Sequence, residues 1–179
     1  NDHSTLNQLP LYPICADAGI DEQWVLGVSA INEQHYLASF SNIGSLCVDI
    51  TAPGVNIASA LRYAPRYGLT KSYGGKWQGT SFAAPFVAGT AALIKAIQPS
   101  WGPKEIYDAI LKTVHRTPPK DPAGYQQLYG AGLLQIGNAV AYAKERVPKA
   151  QAIIRLLFAD FRTGAVTEHD VLSGAVSLR

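Results

Sequence analysis

The apolar residues of this chain fall in short blocks separated by glycine, proline and polar turns. Residues 1–23 are turn-rich, with Pro10, Pro13 and Gly19. "WVLGVSAI", residues 24–31, is an unbroken apolar run of the kind a buried strand needs. "HYLASFSNIG", 35–44, reads as a strand entering a turn, and "LCVDITAPG", 46–54, alternates until Pro53-Gly54 breaks it. Residues 62–78 are loop-like, and "YGGKWQGT" within and just after them reads as one arm of a hairpin.

The pattern then changes period. Over residues 81–98, Ala83, Ala84, Val87, Ala88, Ala91, Ala92, Leu93, Ala96 and Ile97 leave little polar face, which predicts a helix buried on most sides. Pro85 stands near its first turn and Pro99 stops it. "PKEIYDAILKTV", 103–114, predicts an ordinary amphipathic helix, and a third helix is expected over about 135–147, ended by Pro148. Strands followed by helices indicate an α/β layered domain over residues 1–148. Residues 149–179 are expected to be a C-terminal extension whose "AIIRLLFADF" packs on the domain.

The totals bound the function. A chain of 179 residues with 47% hydrophobic and 16% charged residues has enough for a core. A net charge of +2 is too small to point to nucleic acid, and no apolar run is read as a membrane span. There is no methionine, so the chain reads as processed or as part of something longer. Cys15 and Cys47 are the two cysteines; their spacing alone leaves one bridge or two buried thiols equally open.

The chemistry is concentrated in "WQGTSFAAPFVAGTAALIKAIQ", residues 77–98. A serine before a helix is ordinarily an N-cap. Here Gly79 permits a close backbone approach, Ala83 and Ala84 keep the first turn bare, and a helix N-terminus offers N–H groups to an anion. A nucleophilic Ser81 there would have its developing oxyanion beside those donors.

These residues resemble the nucleophile motif of the subtilisin-like serine proteases, Gly-Thr-Ser-Met-Ala-(Ala/Ser)-Pro-His-Val-Ala-Gly. Gly79, Thr80, Ser81, Ala83, Ala84, Pro85, Val87, Ala88 and Gly89 match; Phe82 and Phe86 depart. "YPICADAGIDEQWVLGVSAIN", "ASFSNIG", "DITAPGVNI" and "YGAGLLQIGNAV" resemble further family segments in the same order. The resemblance covers about residues 1–145 and only the C-terminal part of that domain. It implies a three-layer α/β fold with a mostly parallel sheet between helices.

The resemblance also implies roles. Ser81 is the expected nucleophile, and Asn1 falls where the family has the asparagine that donates its side-chain amide to the oxyanion. The family's chain order is Asp, His, Ser, so both partners of the serine would precede this chain. His3, His35, His115 and His169 are in contexts unlike the family's and read as surface or loop residues. Asp2, Leu11, Tyr12, Gly79 and Thr80 are the expected substrate-binding residues, with Asp2 at the rim favouring a basic side chain. Carbonyls of Ile14 and Ala16 with Asp49 would form a weak site for calcium or sodium, hard ions that prefer oxygen. The family register makes Cys15 and Cys47 neighbours, which favours a bridge and with it a secreted or periplasmic protein.

The implied function is a serine endopeptidase acting on peptides or proteins, with the N-terminal part of the same domain as the partner that carries the base. The rival is an inactive subtilase-like scaffold that binds rather than cuts. Upstream sequence separates the two, because only the enzyme needs the Asp and His.

Overall fold

The computed structural model describes residues 1–20, 23–116 and 128–147. Strand β1, Val28–Ile31, and strand β2, Ile50–Pro53, pair in parallel with Val28 opposite Ile50 and Ile31 opposite Pro53. Side chains of a strand alternate between faces, and each face here has a distinct chemistry. Ala30, Ile50 and Ala52 are fully buried in the main core. Ser29 and Thr51 turn the other way. Their hydroxyls lie within hydrogen-bond reach of each other and of two carbonyls, Leu128 at 3.2 Å from Ser29 and Tyr129 at 3.1 Å from Thr51, so two protons serve three contacts. These buried polar groups are therefore satisfied. Leu133 extends the parallel pairing through a bridge to Thr51.

Three helices follow among the described residues. Helix α1, Thr80–Ile97, packs on β1 and β2; α2, Pro103–Lys112, and α3, Ile136–Glu145, pack against α1 and each other. The N–H of Gly102 donates to the Glu105 carboxylate at 2.9 Å and so starts α2. Buried Gln98 ends α1 and donates to the Ala143 carbonyl at 2.8 Å, which fixes α1 against α3.

Helix α1 is not buried on most sides. Ala83, Val87, Thr90 and Ile94 form one buried stripe, whereas Ala84, Ala88, Ala92 and Leu93 are exposed. The described elements supply a layer against only one of its faces. By length and composition alone this helix is apolar enough to cross a membrane, with 18 residues at a mean hydropathy of 1.4. Its buried stripe instead lies against the sheet.

The first strand begins later than its apolar run. The backbone N–H groups of Trp24 and Val25 donate to the Asp17 carboxylate at 2.8 and 2.9 Å, and that of Gly27 donates to Asp49 at 2.6 Å. Side-chain acceptors have taken the place of strand partners. Residues 35–44 are likewise not a strand. The N–H of Ala38 donates back to Ala30, and that of Ser41 donates to Ala38 in a turn, leaving isolated bridges at Leu37 and Ile43. Over residues 46–48 the chain turns, with Cys47 and Val48 both donating to the Gly44 carbonyl.

The expected hairpin arm is present: β3, Ile57–Ala60, pairs antiparallel with β4, Tyr73–Trp77. Cys15 and Cys47 form a disulfide with Cα atoms 4.8 Å apart, inside a second cluster with Leu6 and Val48. Residues 149–179 and the boundary at Pro148 lie outside the described residues.

Candidate active site

The chain enters α1 through Gly79, whose φ of 146° belongs to a region that L side chains rarely adopt. The Gly79 N–H donates to the Gly54 carbonyl at 2.9 Å. A Cβ on Gly54 would stand 3.0 Å from the Gly79 carbonyl oxygen and 2.6 Å from the Ala30 Cβ. The two glycines thus seat the end of the hairpin directly on the sheet. Thr80 and Ser81 follow as the first two helical residues, and Ser81 is exposed. The Ser81 N–H belongs to the first turn, whose donors have no intrahelical acceptor.

Asn1 comes to this point from the far end of the chain. Its Oδ1 accepts from the Thr80 N–H at 2.9 Å and from the Thr80 hydroxyl at 3.0 Å. With the oxygen committed twice, Nδ2 is the part of the carboxamide left to donate. Nδ2 faces Gly79, 3.7 Å from where a Cβ would project. Asn42 holds the segment behind it, its Oδ1 accepting from the N–H groups of Asp2 at 3.3 Å and Ser4 at 3.1 Å. Asn42, within "ASFSNIG", carries no role in the sequence reading. Thr80, expected to bind substrate, borders the cavity at Ser81 and also donates its hydroxyl to Asn1.

Ser81 and Asn1 border a cavity of about 560 Å³ whose walls include Leu11, Tyr12, Val28 and Ala84. Leu11 and Tyr12 thus reach the site by way of the turn around Pro13. Asp2 is exposed beside Asn1, and the Ser4 hydroxyl is the main cause holding its carboxyl below the usual range. On the hairpin side, the Trp77 and Phe82 rings stack with centroids 6.1 Å apart. This accounts for an aromatic residue directly after the serine.

No group among the described residues makes a hydrogen bond to the Ser81 hydroxyl. His3, His35 and His115 are exposed; His169 lies outside the described residues. The structure thus brings the Ser81 hydroxyl and the Asn1 carboxamide to one helix mouth, with no described histidine bonded to the serine.

Asp49 stands apart from this site. Burial is the main cause that raises its pKa from 3.8 to about 6, with the nearby Asp17 charge adding to it and the Gly27 N–H opposing it. Asp17, Gln23, Ser45 and Asp49 line a polar cavity of about 280 Å³. Two carboxylates facing one cavity are a donor set that suits a hard cation. Ile14 lines the cavity at Ser81, and Asp17 stands beside Asp49 in this one.

Comparison with known proteins identifies the family and the fold. The sequence profile of the Subtilase family, Peptidase S8, matches residues 2–132. Subtilisin NAT of Bacillus subtilis subsp. natto is 36% identical over 114 residues, covering 64% of this chain and 26% of the relative. Minor extracellular protease Vpr of Bacillus subtilis is 38% identical over 119 residues, covering 62% of this chain and 14% of the relative. Among solved structures, a protease from Pseudoalteromonas arctica superposes with a TM-score of 0.55 at 31% identity, over 66% of this chain and 36% of that one. MycP1 with its propeptide removed superposes with a TM-score of 0.54 at 28% identity, over 72% and 38%. The chain therefore spans well under half the length of each of these relatives.

Proposed function

Because the chain belongs to the subtilase family, we propose that it carries the nucleophile and oxyanion-binding part of a serine endopeptidase site. The carrying observation is the Asn1 carboxamide, locked by Thr80 with its NH₂ group directed at the mouth of α1. Ser81 Oγ attacks the carbonyl carbon of the scissile bond and gives its proton to a histidine on an upstream segment. The charge that develops on the carbonyl oxygen is met by Asn1 Nδ2, the Ser81 N–H and the positive end of α1. The bond to the leaving amine breaks as that histidine returns the proton, and water then hydrolyses the Ser81 ester.

The upstream part of the domain supplies more than the base. It covers the exposed apolar side of α1, formed by Ala84, Ala88, Ala92 and Leu93. By this reading, residues 1–179 alone are inactive. The cavity beside Tyr12 receives the side chain on the acyl side of the bond, and Asp2 favours a basic group at its rim. Asp17 and Asp49 hold a structural calcium or sodium ion, which takes no part in the chemistry. The disulfide supports a secreted or periplasmic location, and Vpr is by name extracellular.

The test is fluorophosphonate labelling of the full-length protein followed by peptide mapping. Label on Ser81, lost in Ser81→Ala together with peptidase activity, is the expected result. A protein that cleaves peptides while labelled elsewhere overturns the assignment. A folded protein that neither labels nor cleaves is the inactive scaffold.

A further inference from the structure

The hairpin that leads into Ser81 carries charge of one sign. Between Asp49 and Glu105 the sequence has no carboxylate side chain and six cations, of which Arg62, Arg66, Lys71 and Lys76 lie in or between β3 and β4. All four are exposed, and none forms an ion pair among the described residues. The pairing register is continuous from Ala60 opposite Tyr73 to Ala64 opposite Leu69, so Arg62 falls opposite Lys71. Like charges across a hairpin oppose its formation. Exposed Tyr63, Tyr67 and Tyr73 are interleaved with these cations. The overall charge is only +2, so the concentration here is local.

The placement gives this charge a direction. Strand β4 ends at Trp77, four residues before Ser81, and no residue of β3 or β4 borders the cavity between Ser81 and Tyr12. A substrate whose acyl-side residue fills that cavity leaves the hairpin for the chain beyond the scissile bond. The stacked Trp77 and Phe82 rings form an apolar ledge where that chain begins. Asp2 stands on the Asn1 side, so the charge changes sign from one flank of Ser81 to the other.

We propose that the β3–β4 hairpin selects substrates by an acidic stretch on the leaving-amine side of the cleaved bond, held by Arg66, Lys71 and Lys76 with tyrosine faces between them. This rests on Ser81 being the nucleophile. An acidic peptide is favoured over nucleic acid because the cations lie on the hairpin whose second strand leads to Ser81, with Lys76 on that strand, and because the chain as a whole is nearly neutral. Arg62 is partly engaged, its guanidinium 5.9 Å from the centre of the Tyr67 ring.

The test uses the full-length protein and two quenched fluorescent peptides. They are identical up to the scissile bond; beyond it, one carries Glu and Asp where the other carries Gln and Asn. The acidic peptide should have the higher kcat/KM, and added salt should erase the difference. Arg66→Gln/Lys71→Gln/Lys76→Gln should lower kcat/KM for the acidic peptide about tenfold and leave the neutral one unchanged. These are exposed side chains, and near-ultraviolet circular dichroism checks that the fold is kept. Equal cleavage of both peptides by the unmodified protein overturns the inference and leaves the peptidase reading standing. If neither peptide is cleaved and Ser81 takes no label, the peptidase reading fails on its own. In that event, anisotropy of the labelled acidic peptide decides. Binding lost in the triple variant supports the hairpin as an acidic-peptide surface, and no binding overturns it. Tighter binding of an oligonucleotide or of phosphatidylserine vesicles also overturns it.

Discussion

Thr80 holds Asn1 by two hydrogen bonds at once, from its backbone N–H at 2.9 Å and from its hydroxyl at 3.0 Å, across 79 positions of sequence. The first bond survives any substitution at Thr80, and the second does not. Thr80→Val keeps the shape and removes the hydroxyl. The Asn1 carboxamide is then held by the N–H bond alone, and kcat should fall by about tenfold in full-length protein with KM little changed. Asn1→Ala removes the donor itself and should cost about 10²–10³ in kcat. Steady-state kinetics on one peptide substrate measure both. A Thr80→Val variant that changes only KM would place Thr80 on the substrate, not behind Asn1.

Gly79 tests the entry to the helix. At φ 146° an added Cβ is strained whatever the space around it, and here it also points toward Asn1 Nδ2. Gly79→Ala should lower stability by about 1–3 kcal/mol and reduce kcat further than that loss explains. Denaturant unfolding alongside kinetics separates the two effects.

The disulfide closes a sequence separation of 32 residues that contains all of β1. Loop-closure entropy assigns such a bridge about 3–4 kcal/mol. Cys15→Ala/Cys47→Ala should therefore unfold at markedly lower denaturant concentration. Both sulfurs are buried, so alanine leaves no unsatisfied polar group behind. Titration of the denatured, unreduced protein should find no free thiol at these two positions.

Asp49 should make stability depend on pH in the less common direction. Its folded pKa is raised from 3.8 to about 6, so the folded state holds the proton more tightly than the unfolded chain. Its contribution to stability is flat below about pH 4, falls as the pH rises to about 6, and is flat above. The full loss is at most about 3 kcal/mol. Asp49→Asn should remove this slope and melt higher than the parent at pH 8 in a chelator. Calcium should then raise the melting temperature of the parent and not of the variant. A parent protein whose stability rises between pH 4 and 6 by an amount Asp49→Asn abolishes would reverse the assignment.

The helix mouth at Ser81 was readable in one dimension because its constraints are local. A glycine at the turn, a bare first turn and a proline without an N–H all act within a few residues of Ser81, so they leave a contiguous motif. Helices α1 and α2 were readable for the same reason: Pro99 follows the end of α1 and Pro103 begins α2, each lacking an N–H whatever the rest of the fold does.

The strand boundaries were not readable, because they depend on acceptors far along the chain. The apolar run at 24–27 has strand composition, yet Asp17 and Asp49 take N–H groups that a neighbouring strand would otherwise use. The expectation that α1 is buried on most sides fails for the same reason: with alanine on nearly every face, the position of β1 and β2 selects Ala83, Val87, Thr90 and Ile94 for the core. Asn1 shows the same division. Its sequence register brought it forward as an oxyanion donor, but the direction of its NH₂ group comes from Thr80, which takes the oxygen. Contacts between distant residues carry no local signature, since the loop between them can be of almost any length at little entropic cost.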